Sequence, residues 1–239
     1  MPCCVEMRAV FNCPMALGAM VVALTAPLGA VAARASEANA IADAAARLTF
    51  DSLLARFRAI PGLSARYREE KRITLLAEPL VSEGTVHYAP PQRLARHTRS
   101  PAPSSIVFDG TTLRFGDAKS EERIDVSSNP VVRAFVETFV SVLAGDRSKL
   151  ERTFVVGFRA GDAAHPGERW ELSLVPRDSK LLGVLREVRF AGDGVVVSQM
   201  RIREASGDEA ITTFSDVDVA HRYSADEAAR VFRVSRDQK

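Results

Sequence analysis

The sequence predicts a mainly β fold of the α+β class: a single curved antiparallel sheet forming an incomplete barrel, with helices plugging or lidding its concave face. About ten segments alternate apolar and polar residues with period two, and Gly, Pro, Asn or Asp separates them. About three segments repeat with helical period, and one of these, Pro130 to Ala144, is apolar over a wide face and stands between two blocks of strands. Alternating strands need their apolar side covered. So few helices cannot cover so many strands laid flat, so the sheet closes on itself or curves around the helices.

The elements follow in order. Asp51 is placed to cap a helix whose Leu53, Leu54, Phe57 and Ile60 share one face, and Pro61-Gly62 stops it. "LSARY" sets Leu63, Ala65 and Tyr67 on one side of a strand, and "TVHYA" sets Val86 and Tyr88 together before Pro90-Pro91. "RLARHTR" carries Leu94, Arg96 and Thr98 on one face. "SSIVFDGTTLRF" reads as a hairpin with a two-residue Asp109-Gly110 turn, with Ile106 and Phe108 before it and Leu113 and Phe115 after it. "ERIDV" supplies one more strand.

At Ser128-Asn129-Pro130 the period changes, because Pro after a Ser/Asn cap starts a helix. Val132, Phe135, Val136, Phe139, Val140 and Leu143 then recur at helical spacing until Gly145. "SKLE", Ser148 to Glu151, reads as a capping box for a further turn. Period two returns with Trp170, Leu172 and Leu174, then Val188 and Phe190, then Met200 and Ile202. "AITTFSDVDV" is the last strand, and "SADE" caps a short terminal helix.

The first 35 residues stand apart from this pattern. Arg8 precedes the apolar run Met15 to Ala33, followed by small-residue cleavage sites at Ala30/Ala32, Val31/Ala33 or Ala33/Ala35, the layout of a secretory signal peptide. A membrane anchor is the competing reading, and Pro27, the glycines and the alanine-rich end argue against it. Residues 36–239 then form one domain, exported to the periplasm. All three cysteines, Cys3, Cys4 and Cys13, lie in the removed segment, so the domain has no disulfide and needs a real core. Cys13 precedes the apolar run, badly placed for lipid attachment. The net charge of +2 gives no bulk attraction for nucleic acid.

The block "EGTVHYAPPQRLARHTRSPAPSSIVFDGTTLRF", Glu83 to Phe115, resembles the periplasmic outer-membrane lipoprotein carrier family, LolA. In that family a Gly-led strand ends at a proline, a second strand follows, and an Asp-Gly hairpin comes next. The order of elements is similar over about residues 50 to 218. The resemblance implies an unclosed barrel whose helices form a lid over a hydrophobic cavity. It also implies cargo in the form of a lipidated protein or lipid, an inner-membrane exporter and an outer-membrane acceptor. The family's lid helix falls at 130–144. The arginine that helps hold the family's lid shut falls at Ala89, before Pro90, and Arg96 stands where a large aromatic is usual. That departure leaves room for a carrier of some other lipid-linked product.

A cavity of this kind takes its walls from the inward side chains of each element. The first helix offers Leu53, Leu54 and Phe57, and the early strands offer Tyr67, Tyr88 and Leu94, with Arg96 as a cation at the mouth for an anionic lipid head. The hairpin offers Phe108, Leu113 and Phe115, and the long helix Val132, Phe135, Val136, Phe139 and Val140. The second strand block adds Trp170, Leu172, Phe190 and Met200.

Catalytic chemistry finds little footing. The four histidines show no metal-ligand spacing, and "DVDVAHRY" reads as a solvated strand end rather than a metal site. There is no Gly-x-Ser-x-Gly elbow and no phosphate-cradling glycine loop. The expectation is therefore a non-enzymatic monomer without cofactor. A scaffold or regulatory module that binds a protein partner remains the alternative, and an enzyme using the cavity as its active site the second.

Overall fold

The structure, a computed structural model, describes residues 48–234 apart from 118, 129 and 162–167. The expected signal segment therefore lies outside the described residues. The elements run α1 (Phe50–Ala59), β1 (Leu63–Arg72), β2 (Leu80–Ala89), β3 (Arg93–Ser100), β4 (Ser104–Phe108), β5 (Thr112–Gly116) and β6 (Glu121–Asp125). A 3-10 turn (Val126–Ser128), α2 (Pro130–Leu143) and α3 (Arg147–Thr153) lead to β7 (Phe154–Ala160) and β8 (Arg169–Pro176). Then come α4 (Ser179–Leu182), β9 (Leu185–Asp193), β10 (Val196–Glu204), β11 (Glu209–Asp218) and α5 (Ala225–Val231).

The strands form one antiparallel sheet in the order β6-β5-β4-β3-β2-β1-β11-β10-β9-β8-β7, not closed into a barrel. Two meanders meet where β11 pairs with β1, so β6 and β7 become the outer edges. The chain must therefore travel from one edge to the other between β6 and β7, and the helices α2 and α3 make that crossing. Register shifts in the β1–β11, β2–β3 and β9–β10 pairs add local bends. Concave curvature and a helix laid across it thus come from the same connectivity.

Local chemistry sets the helix ends. Thr49, not Asp51, caps α1, accepting from Ser52 N at 3.1 Å while Ser52 Oγ accepts from Thr49 N at 3.0 Å. A hydroxyl on the extended residue just before the first turn reaches the free amides, and Asp51 is already helical. Asp146, not Ser148, caps α3 by accepting from Lys149 N at 3.0 Å. At the end of α2, Gly145 takes φ +63, its N–H donates to Val142 O at 3.1 Å, and Asp146 N–H donates to Ser141 O at 2.8 Å. This is a Schellman stop, and a Cβ on Gly145 would strike Leu54 O. Arg58 of α1 donates to Gly145 O at 2.7 Å and pins the two helices together.

The Asp-Gly hairpin is wider than expected, since Phe108 pairs with Leu113 and Asp109 N–H donates to Thr112 O at 3.3 Å. Asp109 Oδ1 accepts from Thr111 N and Thr112 N, an Asx arrangement that favours the longer loop. The sequence reading also missed β7, whose Phe154, Val156 and Phe158 alternate inward.

The concave face divides into two regions. Under β7 and β8 it is solid: Leu53, Leu54 and Phe57 of α1 pack with Phe154, Trp170, Leu172 and Leu174. Phe57 and Trp170 meet edge to face, with ring centroids 5.9 Å apart, and Trp170 Nε1 donates to Gly194 O at 2.8 Å. On the convex face, α5 and the residues after it cover Ala89, Ala95 and Val107 through Ala228, Phe232 and Val234.

Candidate functional site

The other half of the concave face encloses a cavity of about 240 Å³. Its floor comes from the alternation of the central strands. Tyr67 pairs with Phe214 on one side and Gly84 on the other, Val86 pairs with Arg96, and Leu94 with Phe108. Because side chains alternate, these same-face residues point into one space. Its roof is α2, through Val136, Phe139, Val142 and Leu143, and Phe139 meets Phe190 edge to face at 6.1 Å.

Of the residues expected from sequence, Tyr67, Leu94, Arg96, Phe108, Leu113, Val136, Phe139, Phe190 and Met200 line this cavity. Val132 and Phe135 lie on α2, with side chains outside the described residues. The rest are elsewhere. Leu53, Leu54, Phe57, Trp170 and Leu172 belong to the solid core, because α1 lies directly against those strands and fills the groove. Tyr88 is 1% exposed among Ile60, Leu63 and Ala65, and burial pushes its hydroxyl up to about 12. Val140 packs with Phe108, Val126 and Val136 one helical step away from the cavity. Phe115 stands opposite Ile106, which is 45% exposed on the open rim.

Residues not singled out beforehand complete the wall, among them Leu63, Val86, Ile202, Thr212 and Phe214. Phase was the available signal for the first three, since each alternates with a predicted neighbour. Thr212 and Phe214 sit in a stretch whose alternation is diluted by threonines and aspartates.

Arg96 is not a free cation at the mouth. Its Nη1 donates to Glu69 Oε2 at 3.0 Å, and its Nη2 to Glu69 Oε1 at 2.9 Å and Ser82 Oγ at 3.2 Å. The guanidinium lies over the Tyr67 ring, 4.2 Å from its centroid. Thr212 Oγ1 donates to Glu69 Oε2 at 2.8 Å. Burial would raise the Glu69 pKa, but Arg96, Thr212 and Lys71 outweigh it and hold the carboxyl below its ordinary value. Burial likewise opposes the charge on Arg96, and the pairing with Glu69 outweighs it. Gly84 makes this arrangement possible: a Cβ there would come within 2.9 Å of Tyr67 Cε1 and strike the His97 carbonyl.

Ala89 also departs from its expected role. It is 4% exposed and faces the convex side, packed against the C-terminal segment rather than the roof helix. The family resemblance placed a latch position there, just before the strand-ending proline. The strand's alternation turns that side chain away from the cavity.

No metal cluster of three or more His, Cys, Asp or Glu occurs among the described residues. Asp216 pairs with Arg66, while Asp218 and Glu227 flank His221 at 3.3 and 2.9 Å. No helix among the described residues is long and apolar enough to cross a membrane.

Comparison with known proteins gives the following. No curated protein matches the sequence. Among solved structures, a LolA superfamily protein from Nitrosomonas europaea is 11% identical with a TM-score of 0.41, covering 76% of this chain and 97% of that one. The MucA/MucB complex from Pseudomonas aeruginosa gives 13% identity and a TM-score of 0.45, over 74% of this chain and 59% of that one. Lipoprotein LppX from Mycobacterium tuberculosis gives 9% identity and a TM-score of 0.34, over 70% of this chain and 98% of that one. The family model described as outer membrane lipoprotein carrier protein LolA matches residues 60–228, a span that takes in all eleven strands of the sheet. The chain therefore belongs to the LolA family.

Proposed function

We propose that the protein is a periplasmic carrier that buries the acyl chains of lipoproteins, or of another lipid-linked product, and passes them towards the outer membrane. The observation that carries this reading is the cavity between the central strands and α2, walled by Leu94, Phe108, Val136, Phe139, Met200 and similar side chains. A sheet and helix that served only as a scaffold would pack that space solid, as α1 does over β7 and β8.

The size of the cavity bears on how it works. At about 240 Å³ it exceeds the roughly 150 Å³ apolar hole that admits benzene. It falls short of the roughly 300–1,000 Å³ usual for ligand pockets. A long acyl chain enters only if α2 lifts. Burial of each CH₂ is worth about 0.8 kcal/mol, so one long chain gains roughly 10 kcal/mol before opposing terms. Moving the roof subtracts from that gain, and cargo that competes with a helix for its seat can be released to an acceptor. The work is binding and transfer, with no bond made or broken.

Mass spectrometry of an organic extract of the protein, purified from its own periplasm, tests the reading. Stoichiometric acylated species are the expected result. A protein that carries no lipid and takes up no apolar probe after gentle loosening by urea favours the scaffold instead.

A further inference from the structure

We propose that the cavity selects acyl cargo whose head group is uncharged, an ester, amide or alcohol, over free carboxylates and other anions. The inference rests on the carrier reading and concerns what that cavity accepts.

Arg96 is the one charged side chain among the described residues that line the cavity. Taken alone it would invite an anion. Glu69 already occupies that role, with both carboxylate oxygens on the guanidinium. Glu69 is in turn held by Thr212, and Arg96 by Ser82, so the pair is fixed from β2 and β11 as well as from its own strands. The aromatic ring of Tyr67 covers one face of the guanidinium, and the Tyr67 hydroxyl is shared with Thr98 at 2.7 Å.

A guanidinium has five N–H donors, and three are directed at Glu69 and Ser82. The cavity wall therefore offers hydrogen-bond donors without net charge. A neutral carbonyl or hydroxyl can accept from them. An anion drawn to Arg96 also meets Glu69, whose repulsion cancels most of the attraction. The cost of stripping water from the anion then goes uncompensated. Against a neutral head on the same chain this amounts to about tenfold or more in affinity.

The test titrates the purified, lipid-free protein with dodecanoic acid and with its monoglyceride at pH 7.5, each displacing a bound apolar fluorophore. The monoglyceride is expected to bind at least about tenfold more tightly. Glu69→Gln uncovers the charge of Arg96, and the ratio is expected to shift about tenfold or more towards the carboxylate. Equal or tighter binding of the acid by the wild type overturns the proposal while leaving a carrier in place. So does a Glu69→Gln ratio that stays unchanged. Uptake of neither probe overturns the carrier reading and this inference with it. The wild-type ratio needs no variant, and Glu69→Gln/Arg96→Met, which removes both charges, is expected to keep the preference for the monoglyceride should the single change fail to fold.

Discussion

His87 and His97 stand on the convex face, on the far side of β2 and β3 from the cavity, and fasten the C-terminal segment there. Tyr223 directs its proton to Leu63 O at 2.7 Å, so its oxygen accepts from His87 Nδ1 at 3.1 Å, leaving His87 Nε2 to accept from Thr85 Oγ1 at 3.0 Å. His97 Nε2 donates to Val231 O at 2.7 Å. Burial, with repulsion from His97 and His221, pushes His87 down to about 4, although Glu227 pulls the other way. The unfolded chain takes up that proton near 6.5, so between about 6.5 and about 4 the unfolded state holds more protons. Stability should fall as pH drops through that window, and His87→Asn should flatten the slope in urea unfolding between pH 7 and 5. An unchanged slope would assign the pH dependence to other groups. His221 opposes the trend: burial would lower it, but Glu227 and Asp218 raise it, so its contribution is full in acid and lost as pH rises through its folded value. Little of this was legible in the sequence, where His87 and His97 alternate with cavity residues and carry no mark of what covers their own side. The role of Glu69 was hidden for a similar reason, since a charged residue in an alternating strand reads as solvated until a partner two strands away is placed beside it.

The two main helices have different work, and their sequences look alike. Both present large apolar residues at helical spacing, Leu and Phe in α1 and Val, Phe and Leu in α2, which says only that a face is buried. What distinguishes them is the surface beneath: α1 fills the groove over β7 and β8, and α2 leaves space over the central strands. Phe57, fully buried in the solid core, should cost about 3–5 kcal/mol when truncated to alanine. Phe139 faces the cavity, so Phe139→Ala enlarges a hole that already exists and should cost roughly half as much or less. It should also change the affinity for an apolar probe clearly, whereas Phe57→Ala should not do so beyond its loss of folded protein. Urea denaturation and probe titration on the two variants check this. Equal stability losses with unchanged probe affinity would make α2 an ordinary core helix. The clasp between α1 and α2 gives a second check. Arg58→Ala removes the bond to Gly145 O and should speed amide exchange in the last turn of α2 with little loss of global stability. Unchanged exchange would show that the clasp does not restrain the roof.

The sheet's curvature, its single antiparallel topology and the crossing helix were legible because they follow from counting. Many alternating strands and few helices force a sheet to wrap, and a long apolar helix midway along the chain has to cross it. Which part of the wrapped face would be solid was not legible, since that depends on how close each helix lies. The cavity, its roof and its neutralised arginine together form the central claim, that acyl chains are held over the central strands and under α2. The most direct measurement places a spin-labelled monoglyceride in the lipid-free protein and follows the methyl resonances of leucine, valine, isoleucine and methionine. The expected result is saturable broadening of Leu94, Val136, Met200 and Ile202, which line the cavity, while Leu53, Leu54 and Leu172 in the solid core stay sharp. Broadening confined to the convex face, or the absence of any saturable effect, would contradict it.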